Sequence, residues 1–318
     1  MARLAVTAFA RPAASQRGAA IVMAMLLVAL AATIAATLLW QQQLWAGEYE
    51  RRRDQVQAQV LAMAGVQWAR QILFDATRTS TVTHLGQPWA YTLPPTPIEN
   101  GSIGGYITDA EARINVNNLA TGGNASLPTR AALQRLFGIL GIPVALLNAM
   151  IDWVDADDQV TPGGGAEDAY YQALAVPGLA ANAPVRRVAE LLTVRGVDPQ
   201  TLARLRGFVE AVDAPAPINV NTAPAEVLMA AIDGLDASAA AALVAARAQA
   251  PFTSVADFRA RLARPQLVLD ETQLAVRSDW FIVTIEARQG DTLTHARAVL
   301  KRTTNATEWP VVIWQTVE

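Results

Sequence analysis

The chain has 318 residues, with 28 acidic and 25 basic side chains, a net charge of −3 and no cysteine. This excludes disulfides, thiolate nucleophiles and cysteine metal sites, while His84 and His295 alone leave little for a histidine metal site or a Ser/His/Asp triad. No basic field is present to gather nucleic acid.

At the N-terminus, a basic leader with Arg3, Arg11 and Arg17 ends at Gly18. An uncharged apolar run follows to about Ala46, and Glu48 is the first acid after it. At 1.5 Å per residue, the roughly 22 residues from Ala19 to Trp40 span about 33 Å, enough to cross a bilayer. A secretory signal would have a shorter apolar core with a small-x-small cleavage site behind it. Here the processing point lies in front of the run, between Gly18 and Ala19, so cleavage leaves the hydrophobic helix on the mature protein. Met23 then occupies the fifth mature position. Arginines flank the run on both sides, so the positive-inside rule says little about orientation.

Helix is expected to continue from about Leu44 to Phe74. Val56, Val60 and Met63, with Leu61, Ala64, Trp68 and Ile72, recur at three- and four-residue steps and define its apolar side. The second half of this helix is expected to pack on a soluble domain. From Thr77 to Tyr106 the helical period is lost, and Pro94, Pro95, Pro97, Asn100-Gly101 and Gly104-Gly105 punctuate the chain. Thr79 to Thr83, Gly105 to Asp109 and Ala112 to Asn117 read as short strands.

Residues from about Thr129 to Ala263 are helical in pattern, and two internal echoes divide them. Arg113-Ile-Asn-Val-Asn-Asn118 is echoed by Pro217-Ile-Asn-Val-Asn-Thr222, and Pro184-Val-Arg-Arg-Val-Ala-Glu-Leu191 by Pro251-Phe-Thr-Ser-Val-Ala-Asp-Phe258. Two related helical modules in tandem follow from this order, the first carrying a long insertion between about Trp153 and Asn182. The asparagines are expected to fix turns by bonding backbone two residues on. Thr222 is expected to cap a helix with Pro224 in its first turn. After Ala263, Trp280 to Glu286 and Thr292 to Lys301 form a hairpin around Gly290-Asp291, and Val311 to Val317 is a last strand. The order points to one α+β domain with the helical block between its strands.

The sharpest polar cluster is Asp152, Asp155, Asp157 and Asp158, joined through Gly163-Gly-Gly165 to Glu167 and Asp168. Six carboxylates that close together repel one another without a cation, and calcium takes six to eight oxygen ligands from flexible acidic loops. An EF-hand does not fit, since Val160 and Ala166 stand where its glycine and glutamate belong. A solvated acidic loop is the plainer reading, but Trp153, Tyr170 and Tyr171 bracket the acids. A glycosidase-type carboxylate pair is the third reading, and no other catalytic apparatus accompanies it. The stretch from Ile218 to Phe258 resembles helix-hairpin-helix segments of DNA-binding competence proteins, which leaves a membrane-anchored DNA-binding module as the alternative function. Its hairpin, Asp233-Gly-Leu-Asp236, is acidic on both sides, which opposes phosphate contact.

The glycine-terminated leader, Met23, the Arg-Ile-Asn-Val-Asn strand, the Asp152–Asp158 run with Glu167-Asp-Ala-Tyr-Tyr171, and Ile218-Asn-Val-Asn-Thr-Ala-Pro224 together resemble the K-type minor pseudopilin family of type II secretion systems. The resemblance implies a type IV pilin-like α+β fold with a large all-α insertion. It also implies calcium held by Asp152, Asp155, Asp157, Asp158, Glu167 and Asp168, and a prepilin peptidase acting at Gly18 and Ala19. The expected partners are the I-type and J-type minor pseudopilins and other pseudopilins, with no nucleic acid and no enzymatic activity. The expected place is the inner membrane, N-terminus cytoplasmic. The expected divisions are a leader over 1–18, a transmembrane helix over 19–42 and helix continuation with first strands over 43–118. The first helical module then covers 119–215, the second 216–265, and C-terminal strands 266–318.

Overall fold

The computed structural model describes residues 17–121, 124–303, 305 and 307–318; residues 1–16, most of the expected leader, lie outside these. Contacts divide the chain into two units at Val56 and Gln57. The first helix, α1 (Arg17–Thr79), is continuous over 63 residues. Its N-terminal part, the first unit, is uncharged from Gly18 to Gly47 and exposes its large apolar side chains, Ile21, Leu27, Leu38 and Trp45 among them. It is the one helix among the described residues long and apolar enough to cross a membrane.

In the second unit, α1 buries Ala62, Val66, Ala69, Leu73 and Ala76 against a sheet, and Ala58 is buried one turn earlier. The stripe read from the sequence is met only in part: Leu61 and Ile72 pack against this core, but Val56 is 59 % and Trp68 51 % exposed, and Val60 and Met63 are exposed too. The physical reason is close approach. Small residues let the helix lie low on the sheet, and a Cβ on Gly65 would come within 2.9 Å of Ile285. Weighting positions by side-chain bulk therefore finds one flank of the buried face, at Leu61 and Ile72, and misses its alanine-rich centre.

In chain order, the first strands are β1 (Leu93–Ile98), β2 (Gly101–Asp109), β3 (Ile114–Asn115), β4 (Ala120–Thr121) and β5 (Asn124–Ala125). The helices α2 (Leu127–Leu140), α3 (Ala145–Val154), α4 (Asp168–Gln172) and α5 (Pro199–Leu205) follow. Next come β6 (Val209–Glu210), β7 (Ile218–Asn219), α6 (Ala225–Ala231), α7 (Ala237–Gln249), α8 (Val255–Ala260) and β8 (Leu274–Ala275). The chain closes with β9 (Trp280–Gln289), β10 (Thr292–Lys301) and β11 (Val311–Val317). The main sheet is antiparallel in the order β1-β2-β9-β10-β11. Gly290, at φ 54°, turns the β9–β10 hairpin as the sequence predicts. The punctuating prolines Pro94, Pro95 and Pro97 lie within β1, where an edge position tolerates their missing N–H groups. The strand expected over Thr79–Thr83 does not form: α1 runs through Thr79, and the chain then bends so that the Thr83 N–H donates to Val276 O at 2.9 Å. Ala112–Asn117 yields only the two residues of β3, flanked by 3-10 turns.

The echoed sequences build echoed geometry. The Asn115 and Asn219 side chains each accept from the backbone N–H two residues on, at 3.2 and 2.9 Å. Asn117 and Val185 exchange two hydrogen bonds, both 2.9 Å, and Asn221 and Phe252 do the same at 2.9 and 2.8 Å. Glu190 accepts the Arg186 N–H at 2.9 Å, and Asp257, its counterpart, accepts the Thr253 N–H at 3.0 Å. Parallel pairs close each frame, β3 with β6 and β7 with β8. Both frames share one apolar core that includes Leu133, Phe137, Leu191, Leu228 and Phe258.

The helical block meets the sheet through buried polar groups. Asp109, ending β2, accepts from Thr222 Oγ1 (2.6 Å), Ser278 Oγ (2.6 Å) and Asn219 Nδ2 (3.1 Å). Thr222 is thus not the cap expected of it; Pro224 precedes α6 and Thr222 serves this seam instead. Nearby, Glu111 accepts the Asp279 and Trp280 N–H groups, and burial with the adjacent Asp109 pushes its carboxyl up to about 8.

Candidate metal centre

Residues 155–183 interrupt the first frame where Ala250 alone stands in the second. α3 brings Asp152 and Asp155 to its C-terminal end, with Asp155 as the residue that follows it. The chain then turns out through Asp157 and Asp158, returns through the glycines and enters α4 at Glu167. Three features hold this loop. Asp152, fully buried, accepts the Thr161 N–H on both oxygens at 3.1 Å. Asn148 donates to the carbonyls of Pro162 and Gly163, both at 3.1 Å. Arg195 donates to Gly165 O at 3.1 Å and lies 4.6 Å from the centre of the Tyr170 ring. Gly163 and Gly164 have φ of 89° and 129°, and a Cβ on Gly165 would lie 2.2 Å from Asp152 Oδ2. These positions therefore require glycine.

The loop brings Asp155, Asp157 and Glu167 together, with one carboxylate oxygen from each lying within 4.8 Å of the others. Asp155 is 5 % and Glu167 4 % exposed, yet Asp155 Oδ1 and both Glu167 carboxylate oxygens have no hydrogen-bond partner among the described residues. Burial, with repulsion from Asp157 and Asp152, pushes the Asp155 carboxyl up to about 6. Burial and four neighbouring acids, Asp152 first, push Glu167 up to about 7. Leaving such oxygens buried without donors is costly. A cation would supply the missing partner: at a Ca–O length near 2.4 Å, oxygens on opposite sides of an ion lie about 4.8 Å apart.

The remaining acids are placed differently. Asp152 is engaged by Thr161, Asp158 is exposed, and Asp168 accepts the Ala180 N–H at 2.9 Å, tying the rest of the insertion back to α4. One residue outside the acidic run is tied to it through the backbone. Asn182, at φ 43°, donates to Asp157 O at 3.1 Å and leaves its own Oδ1 buried and unpartnered. Its one sequence signal is a lone amide in an alanine-rich stretch, which carries no ligand spacing. Trp153 and Tyr170 both pack edge-on against Tyr171, at 5.1 and 5.2 Å, walling the loop on its buried side.

Comparison with known proteins agrees with this architecture. The family model described as "Type II secretion system (T2SS), protein K" matches residues 112–214, and a second model of the same description matches residues 218–277. Type II secretion system protein K of Pectobacterium carotovorum subsp. carotovorum is 31 % identical, over 90 % of this chain and 92 % of that protein. The protein of the same name from Klebsiella pneumoniae is 32 % identical, over 90 % and 93 %. Among solved structures, a chain of the GspK-GspI-GspJ complex from the enterotoxigenic Escherichia coli type 2 secretion system shares the fold, with a TM-score of 0.71. It is 24 % identical, over 85 % of this chain and 99 % of that one. With relatives above 30 % identity matched over nearly their whole length, this chain belongs to the type II secretion system protein K family.

Proposed function

We propose that this protein is a minor pseudopilin of a type II secretion system, held in the inner membrane by the N-terminal part of α1 with its N-terminus cytoplasmic. It stands at the tip of the pseudopilus with I-type and J-type minor pseudopilins, nucleating the fibre that drives protein export. The supporting observation is the fold shared along 99 % of a chain that was crystallised with GspI and GspJ. A prepilin peptidase cuts between Gly18 and Ala19, leaving the apolar helix as the mature N-terminus, where methylation follows. With Met23 at the fifth mature position, the subunit lacks the usual pilin glutamate, which is thought to pair with the N-terminal amine of a subunit above, and a tip subunit has none above it.

In the same reading, the first helical module holds calcium. Asp155, Asp157 and Glu167 supply carboxylate oxygens and Asn182 an amide oxygen, a hard-oxygen donor set suited to calcium. Bound calcium supplies structural charge neutralisation and no catalytic step. Asp152 and Asp168 position the loop through Thr161 and Ala180.

The test is isolation of the tagged chain from native membranes that also contain the other pseudopilins and the peptidase. We expect the I-type and J-type subunits to copurify and the mass to begin at Ala19. Recovery of the chain alone, with its initiator methionine, would refute the assignment. Gly18→Leu should accumulate as a slower-migrating precursor.

A further inference from the structure

The outer face of the sheet, opposite α1, borders a cleft that the proposed function does not use. Register places Tyr106, Thr284, Arg297 and Thr316 in one row across β2, β9, β10 and β11. Thr108, Ile282, Val299 and Trp314 form the next row. Across from them stand Arg113, just ahead of β3, and Arg187 and Arg206 of the first helical module, bordering about 570 Å³. A second cleft of about 450 Å³ shares Arg187, Trp314 and Thr316, and the four consecutive residues Ile313–Thr316 of β11 line it. The groove thus runs from the sheet face to the β11 edge.

Two observations define what fits there. The first is charge. Arg113 is paired with Glu210 at 2.8 Å and Arg187 reaches Glu190 at 3.8 Å, but Arg186, Arg206 and Arg297 have no ion pair among the described residues. Asp213 and Glu318 line the same groove, likewise without ion pairs, and leave the arginines in excess. Guanidinium groups favour planar carboxylates bound through two parallel hydrogen bonds. The second observation is the edge. β1 carries Pro94, Pro95 and Pro97, which block strand addition on that side. β11, at the other end of the sheet, has no proline and no charged residue, and exposes Val311 and Ile313. Among the described residues its backbone pairs with β10 and with no other strand. An open β-prone edge of this kind accepts a further strand.

We propose that this groove docks an extended acidic segment of a partner polypeptide, which adds to β11 as an edge strand and directs alternate carboxylates toward Arg297, Arg206 and Arg187. A polynucleotide would satisfy the arginines but not the open amide edge. The proposal is independent of the cation site and of the tip assignment.

Fluorescence anisotropy on the full chain in detergent micelles tests it, using a labelled peptide of alternating glutamate and valine. Saturable binding is expected, weakened about tenfold or more by Arg206→Glu and by Arg297→Glu, with the neutral Arg206→Gln and Arg297→Gln intermediate. Both residues are exposed, so these variants should keep the parent melting curve. A lysine–valine peptide should not bind. The glutamate–valine peptide methylated on alternate backbone nitrogens keeps its charge, cannot pair with β11, and should also lose about tenfold. Equal binding of the methylated peptide, indifference to the arginine variants, or tighter binding of a single-stranded oligonucleotide would each overturn the proposal.

Discussion

The two helical frames are built on the same plan and differ in what interrupts them. In each, an asparagine two residues after the first exchanges two hydrogen bonds with a residue that follows a proline, Val185 or Phe252. In the second frame the chain passes from α7 to that proline through Ala250; in the first, residues 155–183 intervene and carry five of the six acids, Asp152 lying in α3. The comparison shows that the frame tolerates a long insertion at this point because its closure does not depend on the connecting chain. The closing contacts are made by Asn117 and Asn221, upstream of the interruption. Each frame is therefore a clamp, and the first clamp holds a loop that one of these repeats does without.

The largest effect expected from this difference is in pH dependence. Asp155 and Glu167 have folded pKa values raised to about 6 and about 7. A carboxyl with a raised folded pKa binds its proton more tightly folded than unfolded, so the stability it contributes is full below its unfolded pKa and is lost as pH rises through the folded value. Without metal, the protein should lose up to about 1.4 kcal/mol per pH unit for each group, from roughly pH 4 to about 6 for Asp155 and to about 7 for Glu167. Melting curves across that range should flatten in the double variant Asp155→Asn, Glu167→Gln. An unchanged slope would mean that the first frame is no more titratable than the second.

Equivalence of the clamps predicts equal cost for opening them. Asn117→Ala and Asn221→Ala should each destabilise by about 3 kcal/mol, because several buried bonds and both partner backbone groups are left unmet. A difference much above 1 kcal/mol would break the analogy. Calcium should separate the frames again. At a hundredfold excess over its dissociation constant it should add about 2.7 kcal/mol, with hydrogen-exchange protection rising over residues 155–182 and not over 219–258. The gain should shrink at pH 5, where protons compete for the same oxygens. Gly165→Ala, which drives a methyl into Asp152 Oδ2, should cost about 2 kcal/mol and most of the calcium response. Asp158→Asn, at an exposed position, should change stability by less than about 0.5 kcal/mol and leave the calcium response intact.

Much of this arrangement is legible before any coordinates. The β9–β10 hairpin follows from alternation around Gly290-Asp291, and the turn role of Asn115 and Asn219 follows from side-chain length, since an amide oxygen reaches the N–H two residues on. The acidic loop stands out because so many carboxylates cannot share a space unaided. What escapes a reading of the sequence is whatever depends on distance between segments. The core stripe of α1 is mostly alanine, and alanine carries little weight in a hydrophobic pattern although it permits the closest helix–sheet approach. Thr222 has a capping residue's chemistry, but its hydroxyl finds Asp109, more than a hundred residues away. Asn182 reaches the acidic cluster only because Asp168 and the aromatic wall fold the insertion back.

One feature of the sheet has an architectural consequence. β2 ends at Asp109 and β9 begins at Trp280, and these strands are antiparallel neighbours with Asp109 opposite Phe281. The chain leaves the sheet and rejoins it at almost the same spot, as though the entire helical block were the loop of one oversized hairpin. A short turn could bridge that gap and yield a miniature carrying α1 and all strands of the main sheet. Such a miniature would show whether the block is cargo mounted on a self-sufficient platform or a brace the platform needs in order to stand.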